Sequence, residues 1–313
     1  MSNWKILLTD GLAKSGKDIL TKQALFDDRK GISAEELIDA ASGYDAMIVR
    51  GRTKVNSKVF AAAKNLKVVG RCGVGVDNID LIEAKQRGTI VVNAPKATTL
   101  AVAEHTLALM LALAREIPRA DAGMKAGVWL KKEIKSIELA GKTLGIIGFG
   151  RIGSSVGKRA ESFGMKVLHT DFHLSSEKIK EGGAELSSFN KLLSDSDFIS
   201  LHLPLTDETR NMVDTDVFSK MKPGVRIIIA ARGGIVNEKA LLLSLESGKV
   251  AGAALDVFTH EPPGATELIK YPKVIATPHI GGQTIEAQRR AAVDISTEVL
   301  AALRGDPLRW RVA

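Results

Sequence analysis

The sequence predicts an α/β protein built from two doubly wound parallel-sheet domains, and three observations carry that expectation. At 313 residues the chain exceeds the roughly 250–300 at which a single core stops growing. Short apolar, β-branched runs alternate with amphipathic segments along nearly its whole length, the pattern of a parallel sheet covered on both faces. One long, almost wholly apolar helical stretch interrupts that alternation and divides it into two series.

The first series of strands is "WKILLTD" (4–10), "DAMIVRG" (45–51), "LKVVGRCG" (66–73) and "GTIVVNAP" (88–95). Segments such as "ISAEELIDAA" lie between them with apolar residues at helical spacing. The interruption is "TTLAVAEHTLALMLALAREI", apolar on all sides and therefore expected to be buried between domains or subunits. The second series is "GKTLGIIG" (141–148), "GMKVLHTD" (164–171), "DFISLHLPL" (197–205), "GVRIIIAARG" (224–233), "VAGAALDVF" (250–258) and "KVIATPHIG" (273–281), followed by a closing helix.

Composition narrows the function. With 45% hydrophobic and 26% charged residues the chain is an ordinary globular protein. Its net charge of +8 comes from scattered Lys and Arg with no basic run of five, so anionic small molecules are expected rather than nucleic acid. The longest apolar stretch, 107–114, is far short of the ~20 residues of a membrane span. Asp10 interrupts the N-terminal apolar run, so a cytoplasmic protein without a membrane partner is expected. Cys72 has no second cysteine to pair with, which fits a reducing compartment. The histidines at 105, 169, 173, 202 and 260 lack the H-x-x-x-H spacing of a helical ligand pair, so no metal site is expected.

"GFGRIG" (148–153) raises the first chemical question. Gly148, Gly150 and Gly153 follow a strand and open a helix, where a dinucleotide needs a tight turn, close backbone approach and free N–H groups. Glycine spacing alone is equally a loop feature. Asp171, 23 residues after Gly148 and ending the next strand, favours the dinucleotide, since its carboxylate would accept from ribose hydroxyls. It would also repel a 2′-phosphate, and "DFHLSSEK" holds no Arg to attract one, so NAD is expected over NADP. The plainer reading of Asp171 is a carboxylate that caps a turn.

Three further strands end in polar groups: Arg232 in "AARGG", Glu261 in "DVFTHEP" and His279 in "TPHIGG". Strand ends of open α/β sheets are where ligands bind. A histidine suits the proton transfer that accompanies hydride loss from an alcohol, a carboxylate would orient it, and an arginine would clamp a substrate carboxylate. From spacing alone Arg232 is equally a loop residue bonding carbonyls and His279 an ordinary loop histidine.

These stretches, with "VRGRTKV", "GRCGVGVDNIDL" and "IVNE", resemble the D-isomer-specific 2-hydroxyacid dehydrogenases in family order over nearly the whole chain. The resemblance implies a Rossmann NAD-binding domain (96–283) inserted into a flavodoxin-like substrate domain (1–95 and 284–313). It implies Arg232, Glu261 and His279 as the catalytic set. It implies Gly148, Gly150, Arg151, Ile152, Gly153, Asp171, His202, Leu203, Pro204, Ala230, Ala231, Arg232, Asp256, His279, Gly281 and Gly282 around NAD. Arg50, Arg71, Val74, Gly75 and Thr98 would hold the substrate, with Lys131 of a partner subunit, in a homodimer formed through the 100–117 helix region. The implied reaction is oxidation of 3-phosphoglycerate, a step of serine synthesis. A glyoxylate or hydroxypyruvate reductase is the alternative, and an NAD-sensing corepressor the reading from another class. Ile229, Thr98 and Asn237 depart from common family residues, which bears on the choice of hydroxy acid. Only 34 residues follow His279, so a form without an appended regulatory domain is expected.

Overall fold

The computed structural model describes residues 4–171 and 184–313. The chain forms two compact units, Met1–Thr98 with Gln283–Ala313 and, between them in sequence, Thr99–Gly282. The discontinuous unit holds β1 (Lys5–Leu8), β2 (Leu25–Asp28), β3 (Ala46–Val49), β4 (Val68–Arg71) and β5 (Ile90–Asn93). All pair in parallel in the order β2-β1-β3-β4-β5, the flavodoxin-like winding. Alternation along each strand sends side chains to opposite faces. Ile6, Leu8, Ile48, Val68 and Val92 meet Ile295 and Val299 of the helix Ile285–Arg304 on one face. On the other, Leu7, Met47, Val49, Val69 and Val91 meet Leu37, Val59 and Phe60. Most of these residues are fully buried, each contributing about 1.5–3 kcal/mol.

The continuous unit holds β6 (Thr143–Ile147), β7 (Lys166–Thr170), β8 (Glu185–Leu186), β9 (Phe198–Leu201), β10 (Val225–Ile229), β11 (Val250–Leu255) and β12 (Val274–Ala276). They too are parallel, in the order β12-β11-β10-β9-β6-β7-β8. Winding reverses between β9 and β6, which makes their C-terminal ends the topological switch point where such sheets bind ligands.

Two strands went unread in the sequence, β2 ("LFDD") and β8 ("EL"). Both lie at a sheet edge, where half the hydrogen-bonding groups face outward and charged residues are favoured, so neither carries an apolar run. The segment after Asp171, on which the argument against a 2′-phosphate partly rested, and His173 within it lie outside the described residues.

The apolar stretch is the helix Thr99–Ala114, and its burial comes largely from its own unit. Ala103, Leu107, Leu109, Met110 and Leu113 pack with Leu144, Ile146, Phe198, Ile228 and Ala254 of the sheet and with Val156 and Ala160 of the helix Arg151–Ser162. The exposed apolar side chains gather just beyond it: Ile117, Met124, Val128 and Trp129, the last 72% exposed. Among the described residues no helix is long and apolar enough to cross a membrane, and no cluster of His, Cys, Asp or Glu could hold a metal ion.

Candidate functional site

The loops after β6, β7, β9, β10, β11 and β12 leave the C-terminal edge of the seven-stranded sheet, and register aligns their starts: Ile147 pairs with Thr170 and Leu201, Ile229 with Leu201 and Leu255, and Leu255 with Ala276. Gly148–Gly153 follow β6, Asp171 follows β7, His202–Pro204 follow β9, Ala230–Arg232 follow β10, Asp256 and Glu261 follow β11, and His279–Gly282 follow β12.

The glycine loop is shaped by contacts only glycine permits. Gly148 has φ +93°, and a Cβ there would come within 2.8 Å of the His202 carbonyl oxygen. A Cβ on Gly153 would overlap the Gly148 carbonyl. Gly150 caps the helix Arg151–Ser162 without a side-chain hydrogen bond, and a Cβ built on it meets nothing within 4 Å. The helix thus presents open first-turn N–H groups beside empty space, a fit for a pyrophosphate. Asp171 Oδ2 accepts from Phe149 N–H at 2.7 Å. The carboxylate therefore does cap this turn, and the same bond aims it at the glycine loop.

At the other end of the edge, His279 Nδ1 lies 2.7 Å from Glu261 Oε2, with the two side chains 47% and 37% exposed. A carboxylate only accepts, so Nδ1 carries the hydrogen and Nε2 is left for exchange with a ligand. Burial pushes the Glu261 carboxyl upward, but hydrogen bonds from His279 and from Phe258 N–H outweigh it and hold the group below its ordinary range. Arg232 Nη1 donates to the Ala231 carbonyl at 2.7 Å, so the loop role anticipated for it is real. Its loop presses on the β11 loop so closely that a Cβ on Gly233 would overlap the Phe258 carbonyl, which accounts for the glycine after Arg232.

Asp256 is 1% exposed and fully engaged: Oδ1 accepts from Thr277 Oγ1 (2.6 Å) and Ile280 N–H (2.9 Å), Oδ2 from Gly281 N–H (2.8 Å). Burial raises this carboxyl, and bonds from His105, Thr277, Ile280 and Gly281 bring it below its ordinary value. The resemblance set Asp256 beside the nicotinamide, and in the structure its oxygens accept hydrogen bonds from the loop that carries His279. His202 Nε2 lies 2.8 Å from Ser200 Oγ while Nδ1 is buried without a partner, and burial pushes the imidazole down to about 4, so it is neutral near pH 7.

The discontinuous unit holds the remaining residues. Arg50 donates to Gln283 Oε1 at 3.2 Å. Arg52, two residues further on, is spent on Asp10 at 2.9 Å. Arg71 donates to the Cys72 carbonyl and leads into Val74 and Gly75, where Asn93 holds the Val74 carbonyl at 2.7 Å. Thr98 is half-buried at the end of this unit. Lys131 is exposed in the segment after the helix Ile117–Lys125 of the other unit. His105 and Thr277, which no sequence motif marks, join Asp256 beneath the His279 loop.

Comparison with known proteins agrees in kind. The family described as D-isomer specific 2-hydroxyacid dehydrogenase, NAD binding domain, matches residues 107–281. A D-3-phosphoglycerate dehydrogenase of Archaeoglobus fulgidus is 46% identical over 307 residues, 97% of this chain and 58% of that protein. An Arabidopsis thaliana protein, D-3-phosphoglycerate dehydrogenase 3, chloroplastic, is 48% identical over 303 residues, 96% of this chain and 52% of that protein. The chain thus spans little more than half the length of these curated relatives. A solved glyoxylate reductase from Paecilomyes thermophila, 30% identical, superimposes with a TM-score of 0.90 over 100% of this chain and 99% of that one.

Proposed function

Because this chain belongs to the D-isomer specific 2-hydroxyacid dehydrogenase family, we propose that it transfers hydride between NAD and a small anionic 2-hydroxy acid, D-3-phosphoglycerate, giving 3-phosphohydroxypyruvate. The observation that carries this reading is the 2.7 Å pair of His279 Nδ1 and Glu261 Oε2 on the same sheet edge as the open glycine loop.

NAD, when bound, supplies the hydride acceptor for oxidation and, reduced, the donor for the reverse. The first turn of the helix Arg151–Ser162 holds its pyrophosphate, and Asp171 holds the ribose, which favours NAD over NADP. His279 Nε2 takes the substrate hydroxyl proton as C2 loses its hydride, and returns it during reduction. Glu261 fixes the ring through Nδ1 and stabilises the charge that the ring gains. Arg232 clamps the substrate carboxylate. Arg50, with Arg71, Val74, Gly75 and Thr98, holds the anionic substrate, and Lys131 of the partner subunit meets its phosphate. The homodimer uses the 100–117 region, extended by the exposed Ile117, Met124, Val128 and Trp129.

The likeness to a glyoxylate reductase, together with Ile229 and Thr98, supports a second reading as a glyoxylate or hydroxypyruvate reductase. Steady-state reduction with NADH separates the two. A higher kcat/KM for 3-phosphohydroxypyruvate than for hydroxypyruvate or glyoxylate supports the first; the opposite ranking promotes the second. Saturable NADH binding with no turnover of any 2-oxo acid would leave a binding module.

A further inference from the structure

We infer that His105, on the helix Thr99–Ala114, is a positioning residue for His279; this rests on the dehydrogenase reading above. His279 has φ +54°, in the left-handed region that a residue other than glycine holds only when its surroundings impose it. The surroundings here are few and specific. Asp256 takes the N–H groups of Ile280 and Gly281, the two residues after His279, and the hydroxyl of Thr277, two residues before it. Whatever fixes Asp256 and Thr277 therefore fixes the turn.

His105 does so from the helix side. Its Nε2 lies 3.2 Å from Thr277 Oγ1 and 3.3 Å from Asp256 Oδ1, with the side chain 18% exposed. The hydroxyl proton of Thr277 is spent on Asp256, and the carboxylate can only accept, so Nε2 must be the donor and its hydrogen is shared between the two oxygens. The turn also rests directly on this pair: a Cβ on Gly281 would come within 3.0 Å of Asp256 Oδ2 and 3.6 Å of His105 Cδ2. One imidazole N–H thus ties the helix to Thr277 Oγ1 and to Asp256 Oδ1, the oxygen that holds Ile280 in the turn carrying His279. Without that donor the turn keeps its own internal bonds but loses its anchor to the helix, and the His279 ring loses its alignment with the substrate hydroxyl.

The test compares wild type, His105→Leu and His105→Gln in three measurements: reduction of 3-phosphohydroxypyruvate, NADH binding by fluorescence, and amide hydrogen exchange at Ile280 and Gly281. His105→Leu is expected to lose about tenfold or more in kcat, since misplacement by ~1 Å costs up to about a hundredfold. Its NADH affinity should be unchanged and exchange at both amides faster. His105→Gln, whose side-chain N–H falls at the Nε2 position, should stay within about threefold of wild type in kcat and keep slow exchange. Should His105→Leu fail to fold, His105→Asn, whose amide stops short of that position, takes its place with the same expectation. Wild-type kcat and exchange in His105→Leu would overturn the assignment. So would His105→Gln falling as far as His105→Leu, which would leave His105 a packing residue. If wild type turns over no 2-oxo acid, it is the dehydrogenase reading that fails, and the exchange comparison alone decides for or against His105.

Discussion

At the strand ends of the unit Thr99–Gly282 the carboxylates are satisfied from within: Glu261 by His279 and Phe258, Asp256 by His105, Thr277, Ile280 and Gly281, Asp171 by Phe149. In the discontinuous unit the corresponding loop is arranged otherwise. Asp10 holds the Arg50 N–H at 2.7 Å, the Arg52 guanidinium and Thr53, while the Arg50 guanidinium reaches only the neutral amide of Gln283. Among the described residues no carboxylate pairs with it. The contrast teaches what each arrangement suits. A group locked by partners can exchange a proton along a fixed direction, whereas a cation without a counter-charge retains attraction for an anionic ligand.

Four substitutions sharpen that contrast, in descending size. His279→Asn should lower kcat by about 10²–10⁴, the usual contribution of a positioned acid or base, with NADH affinity close to wild type. Near-normal turnover would remove His279 from the proton transfer. Asp256→Asn should destabilise the protein by about 2 kcal/mol or more at pH 7, since the amide turns an acceptor of charge-assisted bonds into a partial donor facing N–H groups. Because Asp256 is held below its ordinary range, its stabilisation is present above that range and is lost as pH falls through the lowered value. Thermal or urea unfolding should therefore show the wild-type advantage at neutral pH and its shrinkage in acid. A pH-independent difference would contradict this account of Asp256.

Glu261→Gln should cost less than His279→Asn, because the amide oxygen can still accept from Nδ1. Glu261 is held below its ordinary range, so in wild type its charge persists through mild acid, and the rate difference between wild type and Glu261→Gln in 2-oxo acid reduction should persist across that range and shrink as pH falls through the lowered value. A superimposable profile would show that its charge is not used. The smallest effect is expected of Asp171→Ala, which should narrow the preference for NAD over NADP and weaken both, since the carboxylate also holds the glycine loop. Wild type using the two cofactors equally would refute its selective role.

Much of this was readable because it depends on local pattern. Apolar runs at strand spacing announce the two sheets, and glycines at close approaches announce the β6 and β10 loops. Edge strands β2 and β8 escaped because their exposed charges erase the pattern. The Asp256 cluster escaped for a different reason. His105 and Thr277 are 172 residues apart, and on the helix His105 reads as one polar break in an apolar run. Arg232 and Asp171 each make a structural bond at a position where the sequence also expects a ligand role, and spacing alone gives no means of separating the two.

The division of labour itself is tested most directly by kcat and KM for a phosphorylated and an unphosphorylated substrate, 3-phosphohydroxypyruvate and hydroxypyruvate, in Arg50→Ala and His279→Asn at low salt. His279→Asn should lower kcat equally for both substrates. Arg50→Ala should raise KM for the phosphorylated one far more than for the other, with the difference fading as salt rises. Equal losses on both substrates in Arg50→Ala, or a discriminating loss in His279→Asn, would contradict the account.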